Sequence, residues 1–111
     1  MDTSQLEAVV KIAAQVNETL RSARADTFLL EVATPERLVV NEQVSEAQIP
    51  AANGYLGILP GHAALLAELG AGELSYLVEG RRRAVKIDGG WVEVGGDHVR
   101  VLANTAEKAG E

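Results

Sequence analysis

From Thr27 onward the apolar residues of this chain alternate with polar ones at a spacing of two, a rhythm that only a half-buried β-strand satisfies. Phe28, Leu30 and Val32 alternate with Leu29 and Glu31, and Leu74, Tyr76 and Val78 with Ser75, Leu77 and Glu79. Val85 and Ile87 are interleaved with Lys86 and Asp88, Val92 and Val94 with Glu93, and Val99 and Val101 with Arg100. Turn residues punctuate these runs: Thr34–Pro35, Asn53–Gly54, Pro60–Gly61, Gly70–Ala71–Gly72, Glu79–Gly80, Gly89–Gly90 and Gly95–Gly96–Asp97. Turns about every 8–12 residues between short strands predict a mainly β chain, a sandwich or barrel of about 8–10 strands.

Residues 1–26 read differently. No glycine precedes Gly54 and no proline precedes Pro35, so this segment contains no helix breaker. Leu6, Val9, Ala13, Val16, Leu20 and Ala23 recur at spacings of three and four, which predicts one amphipathic helix over about residues 4–24. Ser4 and Glu7 have the spacing of a capping box, and Arg21 and Arg24 fall in the last turn, where cations oppose the helix dipole favourably. Two units are expected: an N-terminal helix over 1–26 and a β-domain over 27–111.

Composition narrows the chemistry. The 111 residues hold 16 carboxylates against 10 Lys and Arg, a net charge of −6, which argues against a nucleic-acid binder that must neutralise phosphates. The absence of cysteine removes disulfides, thiolate catalysis and cysteine-bound metal together. No apolar run approaches the ~20 residues of a membrane span. The N-terminus lacks the basic and apolar regions of a signal peptide, so an intracellular protein is expected.

The polar residues form no constellation that asks to be an active site. His62 and His98 lack further imidazole or thiol partners, so no metal is expected at either. His62 reads as a loop-tying residue, and His98 as a solvated strand start. Glu42 and Glu46, or Asp88 and Glu93, pair only by count and read as the wet face of a sheet. No Ser or Thr of the N-terminal third stands in a nucleophile elbow, and no glycine run opens a helix as a phosphate loop does. The chain is therefore expected not to be an enzyme and to need no cofactor. Arg81–Arg82–Arg83 follows what reads as a hairpin tip and is expected to be solvated charge guarding an edge. The run from Gly54 to Leu66 is unusual in being both apolar and rich in glycine and proline, a combination that suits a protein-binding edge.

Four strings occur in order: Glu31-Val32-Ala33-Thr34-Pro35-Glu36-Arg37-Leu38-Val39-Val40, Gly57-Ile58-Leu59-Pro60-Gly61-His62-Ala63-Ala64-Leu65-Leu66, Gly89-Gly90-Trp91-Val92-Glu93-Val94 and Val101-Leu102-Ala103-Asn104-Thr105-Ala106-Glu107. Together they resemble the epsilon-subunit family of F-type ATP synthases, in its N-terminal β-sandwich. The resemblance implies a flattened sandwich at the foot of the central stalk. It also implies a non-catalytic rotor subunit that binds the gamma subunit and the c-ring and couples proton translocation to ATP synthesis. Such a subunit sits peripherally at the cytoplasmic face of the bacterial inner membrane. Carried onto this chain, the gamma-facing surface is expected at Thr34, His62, Leu65, Leu66 and Ala67, and the c-ring-facing hairpin at Asn53, Gly54 and Tyr55. An acidic residue is common where Tyr55 stands, so charge pairing there is not expected of this chain. Family members usually continue into a two-helix domain; a chain ending at Glu111 is expected to lack that inhibitory arm and its nucleotide site. The alternative is a self-associating interaction module on the same fold, joined through the helix of residues 4–24.

Overall fold

The computed structural model describes residues 26–108. They form eight strands: β1 (Phe28–Ala33), β2 (Leu38–Val44), β3 (Glu46–Ala51), β4 (Gly54–Ile58), β5 (Leu65–Glu68), β6 (Ala71–Val78), β7 (Arg81–Gly95) and β8 (His98–Lys108). The expected N-terminal helix lies outside the described residues.

One continuous sheet runs β2-β1-β8-β7-β6-β3-β4, with β5 paired to β7 off that path. All pairings are antiparallel except that of β1 with β8, the first and last strands, which run parallel with Leu29 opposite His98 and Ala33 opposite Leu102. The sheet folds over on itself and encloses one core. From β1, β2, β8 and the second half of β7 come Phe28, Leu30, Val32, Val40, Val44, Val99, Val101, Val92 and Val94. From β3, β4, β6 and the first half of β7 come Ala47, Ile49, Ile58, Leu74, Tyr76, Val85 and Ile87. These are the apolar residues of the alternating pattern, and no polar or charged residue among those described is buried with them. The Ser45 amide donates to the Leu77 carbonyl at 3.0 Å and ties the end of β2 to β6 across the fold.

Strand β7 belongs to both halves. Through Asp88 it pairs with β6, and from Trp91 it pairs with β5, while β8 follows it on the other side from Val85 to Gly95. The exchange occurs at Gly89–Gly90, where the Gly89 amide donates to Gly70 O at 3.1 Å and the Leu69 amide to Gly90 O at 2.9 Å. This corrects the expectation of a turn between two strands at that position. Both glycines take positive φ, +67° and +114°. A Cβ at Gly90 would overlap the Leu102 carbonyl oxygen, and one at Gly89 would come within 2.5 Å of Asn104 Nδ2. Glycine is required at position 90 because the backbone of β8 occupies the space of a side chain, and it suits position 89 through its left-handed φ.

The run from Gly54 to Leu66 also divides differently from a single constrained loop. Gly54–Ile58 is strand β4, and only residues 59–64 connect it to β5. Leu59-Pro60-Gly61-His62 is a type II turn: Gly61 has φ +80°, and the His62 amide donates to Leu59 O at 3.1 Å.

Gly90→Ala is expected to destabilise the domain by more than about 3 kcal/mol, because the clash is with backbone. Gly95→Ala, where nothing lies within 4 Å of the new Cβ and φ is not left-handed, is the matched control and is expected to leave denaturant unfolding nearly unchanged. At the β6–β7 hairpin tip Glu79 and Gly80 both take positive φ, +49° and +78°, as a type I′ turn demands. Glu79→Asn is expected to stabilise by about 1 kcal/mol, since Asn tolerates the left-handed region better; thermal unfolding reads this directly.

Candidate functional site

Because side chains alternate, the outer faces of β2, β1, β8, β7 and β5 form one surface. Strand register places Leu38 opposite Ala33, Ala33 opposite Leu102, Leu102 opposite Trp91 and Trp91 opposite Glu68. An apolar row therefore crosses four strands, and Leu66 stands one step away on β5. Leu38 (52% exposed), Trp91 (53%), Leu102 (51%) and Leu66 (66%) all face solvent. Scattered exposed leucines are ordinary, but a contiguous row on paired strands makes this face a candidate interaction surface. The neighbouring row is charged and alternates in sign, with Glu31 opposite Arg100 and Arg100 opposite Glu93.

The residues expected to face gamma surround this row unevenly. Thr34 follows Ala33 directly, and its hydroxyl is fully engaged in the β1–β2 turn: it accepts from the Glu36 and Arg37 amides at 3.2 and 3.3 Å and donates to Arg37 O at 3.4 Å. Leu66 faces outward at the opposite margin, opposite Glu93. Leu65 and Ala67 pair with Val94 and Val92 and pack partly buried against the core, so they hold β5 in place and present little surface. His62 is half-buried, with Nδ1 2.7 Å from the carbonyl of the adjacent Ala63. The centre of the surface, Trp91 and Leu102, was not among the expected residues. A signal for both exists in the sequence: each stands in the polar phase of its strand, out of step with Val92 and Val94 or with Val99 and Val101.

The second surface is the tip of the β3–β4 hairpin. Ala51 pairs with Gly54, and Asn53, Gly54 and Tyr55 are exposed at and beside the two-residue turn. Gly54 has φ +126°. The tip is anchored laterally: the Ala52 amide donates to Glu68 O at 2.8 Å and the Gly70 amide to Pro50 O at 2.9 Å. Tyr55 lies across β3 toward β6, and its hydroxyl accepts from the Glu73 amide at 3.2 Å. A Cβ at Gly72 would come 2.7 Å from that hydroxyl and 3.0 Å from Pro50 Cβ, so Gly72 leaves the room in which the ring lies.

The remaining polar groups are used internally. Arg82 pairs with Glu46 at 3.1 Å and Arg83 with Glu42 at 3.3 Å, so two of the three arginines meet carboxylates of β3 and β2 and are not simply solvated. Such exposed pairs contribute only tenths of a kcal/mol each. His98, at the start of β8 after its turn, is half-buried, with Nε2 2.6 Å from Glu31 Oε1 at an angle outside hydrogen-bond geometry. Among the described residues no group of three His, Asp or Glu is placed to hold a metal ion, and no helix is long and apolar enough to cross a membrane.

Fold and surface together define a β-sandwich whose conspicuous feature is an exposed apolar row on hydrogen-bonded strands. Residues 27–109 match the family model described as the ATP synthase, Delta/Epsilon chain, beta-sandwich domain. The chain is 62% identical over 86 residues to the ATP synthase epsilon chain of Solibacter usitatus, covering 78% of this chain and 64% of that one. It is 48% identical over 87 residues to that of Koribacter versatilis, covering 78% and 61%. The chain belongs to the ATP synthase delta/epsilon family. Its relatives bear the name of an ATP synthase subunit. It spans somewhat under two thirds of the length of these curated relatives. Two solved structures share the fold. One is of the Euglena gracilis mitochondrial ATP synthase with its F1 and c-ring, with TM-score 0.70 and 23% identity over 75% of this chain and 54% of that one. The other is of the Tetrahymena thermophila mitochondrial ATP synthase central stalk and c-ring, with TM-score 0.61 and 20% identity over 71% and 64%.

Tyr55→Phe removes the acceptor for the Glu73 amide while keeping the ring. It is expected to cost about 1 kcal/mol and to speed hydrogen exchange at Glu73 more than at amides of β8.

Proposed function

We infer that the chain works as a non-catalytic rotor component in the central stalk of an F1Fo ATP synthase. The outer face of β2-β1-β8-β7-β5 seats on the gamma subunit, with Trp91 and Leu102 at its centre and Thr34 and Leu66 at its margins. His62, Leu65 and Ala67 support the β5 side of that face. The β3–β4 hairpin, with Asn53, Gly54 and Tyr55, is turned toward the c-ring. In that position the chain couples proton translocation to ATP synthesis from the cytoplasmic face of a bacterial inner membrane, held there through its partners and not by inserting into lipid.

Family membership supports this reading, and the observation that carries it is the apolar row. A domain that transmits torque needs a large contact on a stiff support. The row lies on four hydrogen-bonded strands over a close-packed core, which deforms little under load. Large aromatic and aliphatic side chains at the middle of a face, with charges around them, are the usual anatomy of an interface hot spot.

Trp91→Glu and Leu102→Glu are each expected to weaken binding to the gamma subunit of the same organism at least about tenfold, which is about 1.4 kcal/mol. Because both side chains are half exposed in the free domain, its unfolding temperature should stay nearly constant. Native mass spectrometry and titration calorimetry of the mixed proteins read the outcome. Undiminished binding in both variants overturns the assignment of this face, and a homodimer that ignores gamma favours the self-associating module instead.

A further inference from the structure

We propose that the free edge of β4 pairs antiparallel with the same edge of a second copy of this chain, about a two-fold axis at Leu56. Among the described residues β4 ends the strand order and pairs with β3 alone. Opposite Tyr55 stands Pro50, which has no amide, and whose carbonyl accepts from the Gly70 amide at 2.9 Å on the side away from β4. Tyr55 and Pro50 are therefore a non-hydrogen-bonded pair, and by the alternation of an antiparallel ladder so are Gly57 and Gln48. The amides and carbonyls of Tyr55 and Gly57 point outward from the edge of the sheet.

Neither position has a side chain that screens them. The Tyr55 ring lies across β3, its hydroxyl bonded to the Glu73 amide at 3.2 Å, and Gly57 has no side chain. Leu56, between them, packs partly buried against the core on the other face. From Ala47 to Ala67 there is no Asp, Glu, Lys or Arg, in a chain that is 23% charged. Natural edge strands are blunted by charge, by proline or by a covering segment, and the other edges of this fold are. Strand β2 carries Glu42 in its inward phase, opposite Leu30 and paired with Arg83 at 3.3 Å. Strand β5 is closed at its end by the hairpin tip, where Glu68 O accepts from the Ala52 amide at 2.8 Å.

The occupant must bring an uncharged, extended edge of its own, and a second copy does. Each copy carries a net charge of −6, so two copies repel over most of their surface; at β4 they meet with no charge facing charge. A two-fold axis at Leu56 sets Tyr55 of each copy opposite Gly57 of the other, and such a pair exchanges both of its N–H···O bonds. The glycine leaves nothing for the opposing tyrosine to strike. A strand of this length is about 17 Å long, a contact smaller than most stable interfaces, so the dimer is weak and reversible. The pairing stands apart from the gamma reading. One consequence rests on the ring reading: Asn53, Gly54 and Tyr55 lead directly into the paired edge, so the dimer is a form of the unassembled chain that a ring would have to separate.

Sedimentation velocity of the full chain between about 1 μM and about 1 mM protein is expected to show a monomer–dimer equilibrium. Gly57→Lys puts a charge on the edge where an added Cβ meets only the Gln48 side chain, at 3.2 Å, and should raise the dissociation constant at least about tenfold. Asn41→Lys, on the exposed side of β2, should leave it unchanged, and far-UV circular dichroism checks that both variants fold. A chain that stays monomeric throughout overturns the proposal. So does a dimer indifferent to Gly57→Lys, which would join through another surface. As a second measurement, the absence of native cysteine allows a single one to be introduced at the axis. Residues in a non-hydrogen-bonded antiparallel pair stand about 4.5 Å apart at Cα, within reach of a disulfide. Mild oxidation is expected to link two chains through Leu56→Cys and not through Asn41→Cys; no link, or equal linking at both positions, overturns the pairing.

Discussion

The fold depends on one close approach, the passage of the Leu102 carbonyl over Gly90. There β7 leaves β6 and takes up β5, and the switch needs a backbone without a side chain at Gly90 and a left-handed φ at both Gly89 and Gly90. Because β7 remains hydrogen-bonded to β8 on both sides of it, the two halves of the sandwich are joined by continuous backbone. Trp91 follows the switch directly. The residue that anchors the proposed binding face is thus oriented by the same contact that lets the sheet fold over.

Most of the strand pattern was legible in the alternation. Phe28, Leu30 and Val32, Leu74 and Tyr76, Val85 and Ile87, and Val99 and Val101 all fill the core as their phase required. What alternation alone does not convey is whether a glycine pair ends a strand or lets it change neighbours. Gly95–Gly96–Asp97 reverses the chain, whereas Gly89–Gly90 does not. The two look alike in sequence because each is a Gly–Gly pair, although only Gly96 of the first takes positive φ and both glycines of the second do. Only the carbonyl lying against Gly90, brought there from β8, tells them apart. Tertiary contact, not local preference, decided that position.

The candidate site was legible in a different way. Thr34, His62, Leu65, Leu66 and Ala67 were assigned through family resemblance, which gives neighbourhood but not direction. Register separates them: Leu66 looks outward, while Leu65 and Ala67 brace β5 against Val94 and Val92. Trp91 and Leu102 were accessible to phase arguments, because a large apolar residue in the wet phase of a strand is conspicuous once the phase is set. Their union with Leu38 was not, since it depends on the parallel pairing of β1 with β8. Likewise the structure gives Tyr55 a local part to play, as an acceptor for the Glu73 amide over a glycine that leaves it room.

That parallel pairing has a temporal side. Strands β1 and β8 come from opposite ends of the described chain, so during synthesis β1 emerges early and must wait, flanked only by β2, until the last strand is made. Contacts this distant in sequence close late and set a slow pace for folding. In the interval the apolar inner face of the β1–β2 hairpin is open to other chains, the exposure that invites aggregation or chaperone capture. Joining the two sides of the proposed binding face and completing the domain are one event, because β8 alone brings the β1–β2 and β7–β5 parts of that face together.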